Sequence, residues 1–257
     1  MEGSNLEQVT SRGFLSGLGN LVRMETGRWI ETHRWLTNSL VYLTIFQGLI
    51  FLVVLSSPYK LYSDMGLVQL VQLAQFIPPI GAIVILQNEV IKEKELGTLA
   101  WLLTSPVTRS TVIVAKYLVN IPWVLAVVVV IQWSFSWLFF PLFNQSLPSI
   151  EVFLSSMGVN MLYTLFYICL TIMIACFGKN RGAVIGIPFI GLLAQFLLEG
   201  QLTEMDLLKF VPHSLNKVMM AWAYGIRVDF LIPILSVSIC CIIFVAISIW
   251  MIGREQF

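Results

Sequence analysis

Residues 230–252 read FLIPILSVSICCIIFVAISIWMI, an unbroken run with no charged side chain. A bilayer's hydrocarbon core is about 30 Å thick, and about 20 apolar residues of helix cross it. A run of that length has no economical place in the core of a water-soluble domain. Four others, at 37–57, 66–88, 117–140 and 152–177, are comparable, and a shorter one covers 183–198. Lipid cannot hydrogen-bond backbone N–H and C=O groups, so each run must be a helix or belong to a closed barrel. Barrel strands alternate apolar and polar residues, which these runs do not. The expected fold is an all-α integral membrane protein with six transmembrane helices.

Composition agrees. The 257 residues are 58% hydrophobic and 11% charged, against about 25% charged for an average soluble domain. No linker, repeat or low-complexity stretch interrupts the chain, so residues 1–257 read as a single transmembrane domain. The net charge of +1 gives no reason to expect a nucleic-acid partner. Cys169, Cys176, Cys240 and Cys241 fall inside spans, where thiols act as small apolar groups. The N-terminus has scattered charges and no early apolar core, so span one is expected to act as the insertion signal.

Lys and Arg beside the spans set orientation, because cytoplasmic loops keep positive charge. Arg12, Arg23, Arg28, Arg34, Lys92, Lys94, Arg109, Lys116, Lys179, Arg181 and Arg254 lie on one side, and Lys60, Lys209, Lys217 and Arg227 on the other. Eleven against four predicts a multi-pass protein of the cell membrane with both termini cytoplasmic.

Before span one, Phe14, Leu18, Leu21, Val22 and Trp29 recur near helical spacing, with Asn20, Arg23, Glu31 and Arg34 largely elsewhere on the wheel. An amphipathic helix over about 12–34, lying in the cytoplasmic interface, is expected. Span two carries Gln69, Gln72 and Gln75 at a spacing of three, a broad helical face that should point at protein or at a water-filled path. Packing contacts and pathway lining both remain open for these amides. Pro78 and Pro79 interrupt the same span. Gly182 and Gly186 form a small-xxx-small pair that permits close helix approach. Residues 199–229 mix charged and apolar side chains, which suits short amphipathic or re-entrant helices on the outer face.

Several chemistries find no residues. The one Gly-Lys pair, Gly178 and Lys179, precedes Asn180 and lacks the upstream glycine of a phosphate loop. His33 and His213 are far apart and fall on opposite sides, and neither H-E-x-x-H nor G-x-S-x-G occurs. Away from their ends the expected spans hold no Asp, Glu, Lys, Arg or His, which disfavours proton-coupled transport. The chain is not expected to be an enzyme or to bind a cofactor or metal.

The informative loop is 88–116, NEVIKEKELGTLAWLLTSPVTRSTVIVAK. Through Glu95 it extends span two as a charged helix, and Gly97 breaks that helix. Thr98 can cap a short apolar helix carrying Leu99, Trp101, Leu102 and Leu103. Ser105 and Pro106 end that helix, Ser110 can cap the approach to span three, and Lys116 sits near the membrane boundary. An apolar helix between charged segments needs burial, in the lipid interface or in a partner's groove.

These residues resemble the ABC-2 type transporter permease family, whose members carry E-x-E-x-G-T-L-x-x-L-L-x-x-P-x-[ST]-R followed by a Lys. The matching positions are Glu93, Glu95, Gly97, Thr98, Leu99, Leu102, Leu103, Pro106, Thr108 and Arg109, with Lys116 after them. The match is dense over about 25 residues and is architectural elsewhere. The resemblance implies a permease subunit, with export the expected direction, that pairs with a second permease chain and docks a separate ABC ATP-binding subunit. ATP and Mg would belong to that partner. It implies a coupling helix between spans two and three, with Leu99, Trp101, Leu102 and Leu103 as the buried contact. Glu93, Glu95 and Arg109 would hold the docking geometry and Gly97 would set the angle between the arms. The competing readings are a non-transporting scaffold, immunity or sensory component of an ABC-type complex, and a stand-alone channel or ion-coupled carrier. Substrate identity is not legible in these residues.

Overall fold

The computed structural model describes residues 17–56, 66–87, 89, 91, 108–143, 147–178, 180–202 and 211–254. Among them the regular elements are helices and no strand occurs. Helix α1 covers Leu18–Glu31 and α2 Arg34–Ser56. They are joined through Thr32 and His33, whose φ of 51° makes a sharp left-handed corner. The next span is split into α3, Gly66–Ala74, and α4, Ile77–Leu86. Helix α5, Arg109–Leu125, runs through a π-helical segment, Ala126–Val130, into α6, Ile131–Phe139. Then come α7, Ile150–Phe177, α8, Arg181–Leu202, α9, His213–Ala223, and α10, Leu231–Arg254.

Among the described residues five helical stretches are long and apolar enough to cross a membrane: Arg34–Val53, Gly66–Leu86, Ser110–Phe139, Ile150–Phe177 and Leu231–Ile252. The protein is a membrane-embedded helical bundle. The run at 183–198 does form a helix, but its apolar part, Arg181–Gln195, would reach only about 22 Å at 1.5 Å per residue.

Helix α7 forms the centre, with α10, α4, α9, α8 and α5 all packed against it. Ser149 caps its start, its hydroxyl accepting the Val152 amide at 3.4 Å. Tyr117 ties three helices together: its hydroxyl meets Ser248 Oγ of α10 at 2.8 Å and donates to the Cys169 carbonyl of α7 at 3.3 Å. Helix α2 is peripheral, with 17% of its apolar window buried inside the chain against 67% for α7.

The prolines act through the hydrogen bonds they cannot make. Pro78 has no N–H to give the carbonyl four residues back, at Ala74, and the span breaks at Gln75 and Phe76. Asn160 of α7 supplies the missing donor, its Nδ2 bonding Ala74 O at 2.8 Å, while its Oδ1 accepts Trp133 Nε1 at 3.3 Å. In α5, Pro122 is followed four residues later by the π-helical segment. Gln132 Nε2 bonds Val127 O there at 2.9 Å. Gln47 of α2 donates to Gln132 O at 3.1 Å and to Ser136 Oγ at 2.9 Å. Gly81 lets α4 approach this region: a Cβ there would meet Tyr42 Cε1 at 2.9 Å and Val128 Cγ1 at 3.0 Å.

Two expectations need adjustment. The helix of span three starts at Arg109, with Thr108 rather than Ser110 in the cap position, and Lys116 stands two turns inside that helix. A Cβ added at Gly182 or Gly186 would meet nothing within 4 Å, so no helix of the described residues approaches them closely.

Candidate functional site

Helix α1 carries its buried residues at Leu21, Glu25 and Trp29. A spacing of four puts them in one line along the helix. The line packs on α5, where Lys116, Asn120 and Trp123 form the facing row. Glu25 Oε1 lies 3.0 Å from Lys116 Nζ, and both side chains are almost wholly buried. One turn on, Trp29 Nε1 donates to Asn120 Oδ1 at 3.0 Å. The Trp29 ring stacks on Trp123 with centroids 5.9 Å apart and planes 6° off parallel. Asn120 Nδ2 in turn donates to the Lys116 carbonyl at 3.0 Å. Because the contacts advance in the same direction on both helices, α1 and α5 run parallel here.

Two further cations complete the cluster. Arg28, half-exposed, holds the Glu25 carboxylate at 3.2 and 3.3 Å. Arg34, the first residue of α2, sets its guanidinium 5.1 Å from the centroid of the Trp29 ring and bonds Glu89 Oε1 at 2.7 Å. Glu89 is buried and stands three residues past the end of α4. A buried charge needs a partner of opposite sign held in good geometry, and both carboxylates have one. The sequence-predicted docking loop therefore starts beside one ion pair, Arg34–Glu89, and ends beside another, Glu25–Lys116. Both pairs lead to the helices that precede and open span one.

Of the expected docking motif, Lys116 and Thr108 have their side chains placed, the Thr108 hydroxyl 2.6 Å from that of Thr111. Arg109 is the first residue of α5. Glu93, Glu95, Gly97, Thr98, Leu99, Trp101, Leu102, Leu103 and Pro106 lie outside the described residues, as does Phe14. The three glutamines do not share one environment. Gln75 is buried, Gln69 is half-buried with a side-chain oxygen that meets no donor among the described residues, and Gln72 is exposed. Steps of three residues drift by about 60° each on a helix of 3.6 residues per turn, and the break at Gln75 and Phe76 turns the last of them further.

The family model described as "Protein of unknown function (DUF2705)" matches residues 40–256. The chain belongs to this family. No curated protein matches it. In this DUF2705 member the matched stretch opens inside α2, so Glu89, Lys116, Asn120 and Trp123 fall within it, while Glu25, Trp29 and Arg34 precede it. The family description carries no activity, and function must be argued from the loop and its anchors.

The sequence reading missed Glu25, Trp29's partners, Asn120 and Glu89. One signal was available for the first: a lone acidic residue midway between Leu21 and Trp29, on the apolar line of α1, asks for a buried cation. Nothing in the sequence alone identifies Lys116 as that cation across the 91 residues that separate them.

Proposed function

We propose that this chain is the membrane-spanning subunit of an ATP-driven exporter of the ABC-2 kind. It crosses the cell membrane six times with both termini in the cytoplasm, α8 being the fifth crossing and α9 a re-entrant helix on the outer side. It pairs with a second permease chain and docks a separate ATP-binding subunit on the loop between spans two and three. The observation that carries this reading is the anchoring of that loop. Its motif, from Glu93 to Arg109, is flanked by Glu89 on Arg34 at 2.7 Å and Lys116 on Glu25 at 3.0 Å.

A docking loop works as a lever only if its ends are stiff. Here a displacement of the loop is delivered through buried, charge-assisted contacts to α4, α5, α1 and α2 together. Closure of paired ATP-binding subunits would then tilt the spans as rigid units between inward-open and outward-open arrangements. No reactive group is asked of this chain. Nucleotide and Mg belong to the partner.

The test is co-purification with the cognate ATPase, followed by hydrolysis and solute movement in proteoliposomes. ATPase binding with stimulated hydrolysis and export is the expected result. Binding without solute movement would make the chain a non-transporting component, and no ATPase binding would leave a stand-alone channel or carrier. Gly97→Val, which restricts the backbone where the loop must turn sharply, should leave insertion and ATPase binding intact and uncouple hydrolysis from transport; unchanged transport by this variant counts against the docking role.

A further inference from the structure

A groove of about 930 Å³ opens at the end of the bundle opposite the α1–α5 cluster. The two ends are fixed by α7: a Cβ added at Gly178, just past its C-terminus, would lie 3.5 Å from Ile91 Cδ1 near the loop anchors, and Glu151, which lines the groove, is at its N-terminus. The volume is within the roughly 300–1,000 Å³ range of small-molecule sites.

One wall is a single stripe of α7. Glu151, Ser155, Gly158 and Leu162 follow one another at spacings of four, three and four, so they share a face. The stripe runs about 16 Å along the helix at 1.5 Å per residue, from a charged mouth to an apolar floor. The other wall comes from the segment between α9 and α10, which carries Arg227, and from the first turn of α10, which carries Ile234. Trp222 and Phe230 also line the groove and meet edge to face with centroids 5.5 Å apart. Trp rings are enriched at headgroup depth in membrane proteins, which fits a mouth at the bilayer surface and a floor in hydrocarbon.

Two opposite charges share this mouth without neutralising each other. Among the described residues neither Glu151 nor Arg227 takes part in an ion pair, whereas neighbouring Asp229 caps α10 by accepting the Leu231 amide at 3.1 Å. An anionic amphiphile would be held by Arg227 and repelled by Glu151, and a cationic one the reverse. A headgroup with both charges satisfies both, its phosphate on the guanidinium and its ammonium on the carboxylate. We propose that this groove binds one zwitterionic phospholipid, with a primary-ammonium phosphodiester headgroup at Glu151 and Arg227 and an acyl chain along Gly158, Leu162 and Ile234. The site does not depend on the transport reading and stands or falls separately from it.

The experiment is native mass spectrometry of the full chain in detergent, with phosphatidylethanolamine or phosphatidylglycerol of identical acyl chains added at equal concentration. The wild type should retain one phosphatidylethanolamine, preferred about tenfold or more, as expected for a charge-assisted contact of about 1.5 kcal/mol. Glu151→Gln and Arg227→Gln, both surface changes, should each reduce that preference to about twofold or less. Gly158→Leu tests the floor: nothing lies within 4 Å of a Cβ at this position, so the helix can carry leucine, which would fill the chain's path and abolish retention of both lipids. Equal retention of the two lipids by the wild type, a preference unmoved in both charge variants, or undiminished retention by a folded Gly158→Leu would each overturn the proposal.

Discussion

Replacing Lys116 by methionine removes the cation from a buried pair and should destabilise the fold by about 3–5 kcal/mol, the range for stranding one member of such a pair. The attraction given up is large. Unit charges 3.0 Å apart attract by about 5–6 kcal/mol at an effective dielectric of about 20, and Arg28, half-exposed at 3.2 Å, remains to screen Glu25 only in part. Glu25→Met should also destabilise the fold, since it removes the carboxylate 3.0 Å from a fully buried ammonium. The double variant should differ from both. Two methionines of comparable reach refill the contact between α1 and α5 with no charge to desolvate, and such replacements are near neutral, within about 1 kcal/mol of wild type or more stable. Denaturant unfolding in detergent micelles, followed by tryptophan fluorescence, closes the cycle. A coupling energy above about 3 kcal/mol is expected. If the single effects simply add, or if Lys116→Met lowers stability by less than about 1 kcal/mol, the pair does not hold α1 on α5 and the anchoring argument fails.

Three other perturbations probe the frame around this contact. Asn160→Leu strands the Ala74 carbonyl and the Trp133 indole N–H, both buried, and should lower stability in the same unfolding assay by about 2–4 kcal/mol; adding Pro78→Ala, which returns an N–H four residues after Ala74, should recover part of the loss. Gly81→Val must push apart the Tyr42 ring and Val128, at 2.9 and 3.0 Å from the new Cβ, and should lower the thermal midpoint through an overpacking cost of about 1–3 kcal/mol. His33→Gly relaxes a residue at φ 51° and should raise the midpoint through a gain of about 1 kcal/mol; a lowered midpoint would mean that the imidazole makes a contact outweighing the backbone strain.

Span positions were legible because lipid imposes one rule on every residue of a crossing: among the described residues the runs at 37–57, 66–88, 117–140, 152–177 and 230–252 each overlap one of the five long apolar helical stretches. The split in span two was also legible, since Pro78 removes a donor wherever it stands. What the sequence could not supply is pairing between distant segments. Asn160 looks like any polar residue in a span until Ala74 is beside it, and Gln47 until it meets Gln132 and Ser136. Gln69, Gln72 and Gln75 differ in burial because steps of three drift by about 60° each and the last stands at the break before Pro78. Likewise, ending the loop at Lys116 and starting the span at Tyr117 followed hydropathy, which scores a lysine as a boundary. A lysine with a carboxylate 3.0 Å away can stand inside a helix.

The anchors and the breaks together divide spans two and three at comparable places. Below the break in span two, α4 is tied at its end by Glu89 to Arg34. In span three the clamped row, Lys116, Asn120 and Trp123, lies in α5, the first half of the span, and Pro122 lies within that row. The π-helical segment begins three residues after Trp123, where the ladder of hydrogen bonds is already irregular. In both spans a stiff, anchored half thus meets a region whose backbone bonds are partly supplied by side chains: Asn160 on Ala74 in one, Gln132 on Val127 in the other. Side-chain donors can change partner with a rotamer, whereas helical backbone donors cannot do so without unwinding. Bending is therefore easiest just beyond the clamp, where α4 and α5, both packed on α7, meet α3 and the π-helical segment.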